Sequence, residues 1–333
     1  MPITSYAGKF KMLQFLCSEQ KKIDNLSVGD IISIRNFVLQ EDTTMYIINQ
    51  LTALFLSLFF TFGSFVPESL AIENIPEKSD EAIRIVSFNV RCANDIYGSV
   101  KGRSQLICAT LEQYAPDSFG VQEATQEWLN ILGEKLDDYA CVSQMRDGKN
   151  SSEASAVFYL KDKYDLIDSG TIWLSDTPTE FASKFTLSFC PRIATWVTLQ
   201  NKSTGEIYTH INTHLDHVLE SVRVDQIKVL KVKIEELKGN GYPVVCTGDF
   251  NTKEGADAYN EMNGCLIDSK YLAENSDDGA TYINYGRNIF ETKPIDFIFV
   301  SEGTEVETYK IIDEKISDMY LSDHAALCAD VKF

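Results

Sequence analysis

Basic side chains are scarce in this chain: 30 Lys and Arg stand against 49 Asp and Glu, for a formal charge of −19. Residues 1–71 hold 5 basic and 6 acidic side chains, so the remainder still carries −18. Such a balance repels phosphate polyanions unless a local basic patch or a metal intervenes. Basic clusters with interleaved aromatics are missing as well, which argues against a high-affinity nucleic-acid surface. Closely spaced cysteines are also lacking. Seven of the eight fall at Cys92, Cys108, Cys141, Cys190, Cys246, Cys265 and Cys328, a pattern that favours neither a disulfide framework nor a zinc site. Cys246 and Cys328 sit in apolar runs, where cysteine acts as a small hydrophobe. Free, buried thiols are expected, with one disulfide left open should the chain be exported. Internal repeats and low-complexity tracts are absent.

Only one long apolar run occurs, Leu51 to Val66, inside an uncharged stretch from 43 to 67 and followed by Ser69-Leu70-Ala71. It is short for a membrane span, which needs roughly 20 residues. It reads as the core and cleavage site of a secretory signal, with an uncleaved anchor or a buried helix as alternatives. A signal starting fifty residues into a chain points to translation from Met45, with residues 1–44 a start-site artefact or a disordered extension. If the long form is real, Lys9, Lys11, Lys21, Lys22 and Arg35 would lie on the cytoplasmic side. The division expected is thus 1–44, a signal or anchor at 45–71, a linker at 72–82, and one domain over 83–333. The mature protein would be secreted, periplasmic or held at the cell surface.

The remaining 250 or so residues approach the upper limit for a single core. Periodicity predicts helices over Arg103–Tyr114, Thr125–Leu136 and Leu219–Lys238, the last with Ile227, Leu230, Ile234 and Leu237 as its buried stripe. Strands are predicted near 83–90, 118–122, 139–144, 154–160, 166–174, 193–200, 206–213, 243–248, 295–300, 305–312 and 325–332. So many strands and so few helices fit two mainly antiparallel sheets packed face to face with helices outside.

Polar residues recur at the ends of these strands: Asn89, Glu123, His214, Asp249, Asn251, Asp296, and Ser322-Asp323-His324. Carboxylates, amides and two histidines at strand ends are what metal-assisted attack on a phosphate ester requires. Taken singly each has a plainer reading. Glu123 could be a helix-start charge, Gly248-Asp249 a turn, and a lone strand histidine a core residue. Period-two alternation places Asp249 and Asn251 on one face with Phe250 opposite. Adjacent Asp323 and His324 would point apart, so Asp323 is not the direct partner of His324. Of the four histidines, His210 is expected to be structural, while His217 beside Asp216 could touch substrate.

The order and wording of Ser87-Phe88-Asn89-Val90-Arg91, Gln122-Glu123, Asn212-Thr213-His214-Leu215-Asp216-His217, Gly248-Asp249-Phe250-Asn251-Thr252, Ile295-Asp296-Phe297-Ile298 and Ser322-Asp323-His324 resemble the endonuclease/exonuclease/phosphatase superfamily. The segments Thr171–Pro178 and Arg192–Trp196 look like a bacterial branch of it. The resemblance implies a four-layer α/β/β/α sandwich. It implies Glu123 as principal Mg²⁺ ligand, supported by Asn89, with Asp323 facing the metal; Mn²⁺ is a possible substitute. It implies that Asp249 orients or deprotonates water, that Asn251 holds a non-bridging oxygen, that His214 serves the phosphate, and that Asp296 fixes His324. Arg192, His217 and Arg223 are the candidate substrate contacts; Trp173 and Trp196 are expected to pack, and Thr281 to lie in a substrate-side loop. The expected activity is hydrolysis of a phosphate mono- or diester of a small metabolite, sugar or lipid headgroup by a monomer. A nuclease is the first alternative, and an inactive binding protein of the same fold the second.

Overall fold

In the computed structural model, residues 72, 74–94, 98–288, 290–313, 315–316 and 319–333 are described. The expected signal and the alternative start lie outside them. Among the described residues no helix is long and apolar enough to cross a membrane.

The first sheet has the order β10-β12-β15-β1-β2-β4-β3, from strands β1 (Ile83–Asn89), β2 (Ser118–Ala124), β3 (Tyr139–Val142), β4 (Ala154–Leu160), β10 (Ala273–Ser276), β12 (Glu305–Ile312) and β15 (Ala326–Lys332). The second runs β5-β6-β7-β8-β11-β9, from β5 (Tyr164–Trp173), β6 (Ile193–Asn201), β7 (Ile207–His214), β8 (Val244–Asp249), β9 (Ile267–Asp268) and β11 (Asp296–Val300). A short hairpin, β13 (Lys315–Ile316) with β14 (Met319–Tyr320), stands apart. Both sheets are mainly antiparallel, as expected, with parallel pairs at β1–β2, β10–β12 and β7–β8. Helices α1 (Val100–Tyr114) and α3 (Glu220–Lys238) link β1 to β2 and β7 to β8 as crossovers, and a crossover makes its two strands parallel.

Alternation along the strands divides the apolar residues between two interfaces. Ile85, Val157, Val197, Val245, Ile298 and Leu327 fill the space between the sheets. Val86, Phe88 and Phe119 instead face outward to Leu106 and Leu111 of α1 and to Trp128 of α2 (Gln126–Lys135). On the far side, Ile211, Phe250 and Phe297 meet Ile227 and Leu230 of α3 and Tyr259 of α4 (Asp257–Asn263). Each fully buried side chain of this size contributes about 1.5–3 kcal/mol. The result is an α/β/β/α sandwich. The expected stripe on α3 is buried as predicted. Helix α1 starts three residues earlier than its pattern predicts, because the Ser99 side chain accepts from the Gly102 N–H as an N-cap. The short α4 carried too few residues to show a period.

Below the site the sheets are joined by polar contacts. The Asn212 amide donates to the carbonyls of Val121 and Ala156 at 3.0 and 2.9 Å, and accepts from Gln122 at 2.7 Å. Only a glycine at 120 permits this approach: a Cβ there would lie 2.4 Å from Thr247 Oγ1 and 2.5 Å from Asn212 Cγ. At the opposite end, buried Arg84 makes a two-pronged ion pair with Asp330, at 2.7 and 2.8 Å, tying β1 to β15. The segment read as a linker lies against the domain. Arg84 also donates to the Pro76 carbonyl, and the Ile72 N–H donates to Gln113. The seven cysteines after residue 71 are free; Cys108, Cys190, Cys246 and Cys328 are buried, but Cys92 and Cys265 are half-buried and Cys141 is exposed.

Candidate active site

The topology brings the strand ends together. Asn89 and His214 close β1 and β7, Asp249 closes β8, and Asp249 is paired in register both with His214 and with Asp296, which opens β11. His324 precedes β15, which runs antiparallel to β1, and so arrives at the same edge.

Glu123 sits where the pairing of β2 with β4 slips between Val121 and Ala124. Its φ is 59°, a left-handed conformation that costs a non-glycine residue roughly 1–2 kcal/mol. The bulge turns the carboxylate to accept the Cys92 N–H at 2.8 Å and the Asn89 amide at 3.2 Å. Burial would raise the pKa of Glu123, but these hydrogen bonds outweigh it and lower the value. A helix-start role does not apply: Thr125 caps α2, and Glu127 is the acidic residue of its first turn. Asp323 Oδ2 lies 3.4 Å from Arg91 Nη1, and Ser322 Oγ donates to the Asn89 carbonyl at 2.7 Å, holding the two segments together. Burial raises the Asp323 carboxyl, against the opposing charges of His324 and Arg91.

Asp249 is the hub. It accepts the Asn89 amide at 2.9 Å and the Asn251 N–H at 2.9 Å, and its Oδ2 lies 3.4 Å from His214 Nε2 and 3.8 Å from His324 Nε2. Burial and the neighbouring Asp296 charge push Asp249 up to about 7. His324 Nδ1 stands 2.8 Å from Asp296 Oδ2. Burial alone would lower the imidazole, but the Asp296 and Asp249 carboxylates raise it to about 10. His214 moves the other way: burial, then the Arg192 and Arg146 charges, lower it well below the usual histidine range. One buried histidine is therefore charged and the other neutral.

Asn251 reaches the site by a different route from the predicted one. Strand β8 ends at Asp249, and Asn251 has a left-handed φ of 49°, with its amide donated to the Leu215 carbonyl at 3.1 Å. Alternation therefore does not apply past Asp249. Arg192 is buried beside the cleft, and exposed His217 lies 3.2 Å from its guanidinium. Arg223 was expected to meet substrate but is consumed internally. It pairs with Glu220 at 2.8 Å and donates to the Asp216 carbonyl at 2.8 Å, because i,i+3 spacing supplies a carboxylate on its own helix. Asp216 is likewise structural, accepting the N–H groups of Phe189, Val218 and Leu219. His210 is a core residue bridging Ser118 and Thr247 at 2.8 Å each, and burial lowers it to about 3.

Thr281 has a different role from the expected one, and two further contributors, Arg146 and Glu153, escaped the sequence reading. Thr281 is buried; its Oγ1 accepts the N–H groups of Ile295 and Asp296 at 3.0 and 3.1 Å, and its carbonyl accepts the Ala325 N–H at 2.7 Å. It positions both halves of the Asp296–His324 pair rather than facing substrate. Arg146 and Glu153 line a cleft with Glu123, Arg192 and His214. Neither belongs to a strand-end motif, and only their i,i+7 placement around the Gly148 turn hinted at a pair.

The profile of the Endonuclease/Exonuclease/phosphatase family matches residues 86–324. The chain belongs to this family. An endonuclease/exonuclease/phosphatase structure from Bacteroides vulgatus is 32% identical, with a TM-score of 0.72, over 76% of this chain and 99% of that one. A Bacteroides thetaiotaomicron protein described as a mannosyl-6-phosphatase is 30% identical, with a TM-score of 0.70, over 75% of this chain and 100% of that one. The human Nocturnin catalytic domain, at 20% identity and a TM-score of 0.62 over 77% of this chain and 96% of that one, shares the fold. No curated protein matches. As a member of the endonuclease/exonuclease/phosphatase family the chain is a phosphoric ester hydrolase, and its buried Asp249, Asp296 and His324 offer ligand atoms within 4.8 Å of one another that are able to hold a metal ion.

Proposed function

We propose that this hydrolase cleaves a phosphate ester of a small phosphorylated metabolite, sugar or lipid headgroup by in-line attack of water, with Mg²⁺ held by Glu123, Asn89 and Asp323. The observation that carries the reading is a buried pair 3.8 Å apart in which Asp249 is raised to about 7 and His324 to about 10. A carboxylate near 7 is suited to take a proton from water at neutral pH, and an adjacent imidazolium to hold a phosphoryl oxygen. The water oxygen bonds to phosphorus as the bond to the leaving oxygen breaks, and the water proton passes to Asp249. Neutral His214 and the Asn251 amide supply further hydrogen-bond donors.

An all-oxygen set at Glu123, Asn89 and Asp323 suits a hard cation such as Mg²⁺ or Mn²⁺. A cation among Asp249, Asp296 and His324 would need the imidazole deprotonated, against the two carboxylates that keep it charged. The Glu123 side therefore fits better. When bound there, the ion polarises the phosphate and stabilises the leaving oxygen. The sugar-phosphate reading draws on the description of the Bacteroides thetaiotaomicron relative, and the charge of −19 favours small substrates over nucleic acid. Export through residues 45–71 is part of the same proposal, and sequencing the N-terminus of the native protein, expected near Ile72, checks it.

Purified protein assayed on sugar phosphates, lipid headgroup esters, DNA and RNA tests the substrate reading. Activity should vanish in chelator, return with Mg²⁺ or Mn²⁺, and be severely impaired in Glu123→Gln. Undiminished turnover in chelator, or nucleic acid as the preferred substrate, would sink the proposal.

A further inference from the structure

The cleft beside Glu123 and His214 holds charges that the steps above do not use. Arg146 and Glu153 face each other across the turn between β3 and β4, with Nη1 and Nη2 donating to the two carboxylate oxygens at 2.7 and 2.8 Å. From β5 the Trp173 indole N–H donates to the Arg146 carbonyl at 2.8 Å, so the backbone of this turn is fixed too. Arg192, one residue before β6, is 4% exposed. Among the described residues its guanidinium meets no carboxylate at ion-pair distance; its hydrogen-bonding neighbour is His217, at 3.2 Å, and its Nε has none. The Arg146 Nε is also buried without a partner. A buried guanidinium without an anion, as Arg192 is, is costly, and Arg192 and Arg146 line the same cleft as Glu123 and His214.

We propose that Arg146 and Arg192 form a terminal-phosphate subsite that selects phosphate monoesters over diesters, with Glu153 as the residue that positions Arg146. The proposal rests on the hydrolase reading of the same site. At pH 7 a monoester carries about −1.5 to −2 charges and three terminal oxygens, whereas a diester carries one charge and two such oxygens. Planar guanidiniums bind paired oxygens of that kind. Glu153 offsets one arginine, so the pair presents one net positive charge; the extra charge and the extra oxygen of the monoester both find a partner. Ala154 and Ile193 line the same cleft.

The test compares p-nitrophenyl phosphate with bis(p-nitrophenyl) phosphate, which share a leaving group, on the full chain with Mg²⁺, and titrates inorganic phosphate calorimetrically. Arg192→Met should lower kcat/KM on the monoester and weaken phosphate binding by roughly 10- to 100-fold, the loss of a charge-assisted hydrogen bond, while the diester changes about twofold or less. Arg146→Lys, which keeps the charge and loses the fork, should show a smaller loss with the same preference. Glu153→Gln should raise KM for the monoester with kcat retained, and Glu153→Asp should restore it. Equal losses on both esters, or unchanged phosphate binding in folded Arg192→Met and Arg146→Lys proteins, would overturn the subsite. If neither ester is turned over while phosphate binding still depends on Arg192, the subsite stands and the hydrolase reading falls.

Discussion

Asp296 Oδ2 lies 2.8 Å from His324 Nδ1 across 28 positions of sequence, and the Asp323 next to that histidine does not make the contact. The strand-end geometry separates neighbours and joins strangers. Because Asp296 is the leading carboxylate that raises His324, Asp296→Asn should lower the upper pH limit of activity from about 10 toward the ordinary histidine range. The rate should fall by about 10²-fold. Adding His324→Ala should cost little more, since the pair acts as one unit. Losses that simply multiply in the double variant would rule this out.

Asn89 donates to Asp249 at 2.9 Å and so favours its charged form. Removing that donor in Asn89→Ala should raise the Asp249 pKa further above about 7, moving the acid limb of the pH–rate profile to higher pH. The sign follows from the base role: activity needs the carboxylate, so a higher pKa means less active enzyme at neutral pH. An acid limb that stays in place or moves down would remove Asp249 from that role.

Thr281 offers its hydroxyl oxygen to two backbone N–H groups at the start of β11, one of them on Asp296 itself. Thr281→Val keeps the shape and leaves those donors buried without an acceptor, at about 1–3 kcal/mol. The expected result is a lower kcat with KM nearly kept and an altered upper pH limit, with Thr281→Ser close to wild type. A changed KM for substrate with an unaltered pH profile would instead place Thr281 in a substrate loop.

Arg84 and Asp330 are buried at the end of the sandwich away from the cleft residues. Asp330→Asn leaves the guanidinium without its carboxylate and should cost roughly 3–5 kcal/mol of stability. Denaturant unfolding reads this directly, and the rate per folded molecule should be unchanged. A variant as stable as the parent would show the ion pair to be energetically idle.

Much of the fold was readable one element at a time. The predicted β-rich runs at 154–160 and 305–312 coincide with β4 and β12, because short runs rich in β-branched and aromatic residues leave a strong local signal. Short elements such as α4 and β9 carry too few residues for a period. The parallel pairs β1–β2 and β7–β8 follow from α1 and α3 as crossovers, which the sequence already contained. Arg223 shows the limit in the other direction. A basic residue near a site motif is indistinguishable in sequence from a phosphate contact, and only the position of Glu220 and the Asp216 carbonyl reveals that its donors are occupied.

The sequence by itself determined which residues have the chemistry: carboxylates, amides and histidines at strand ends, on alternating segments that must bury their apolar faces. Tertiary structure decided their protonation and partners. His214 and His324 are the same side chain, yet burial beside Arg192 lowers one while Asp296 and Asp249 raise the other. It also decided that Glu123 turns into the site through a left-handed bulge, and that Arg146 and Glu153 meet around a cleft. The reason is physical: propensity and period act over neighbouring residues, whereas charge, desolvation and hydrogen bonding depend on distances that exist only once the two sheets have packed.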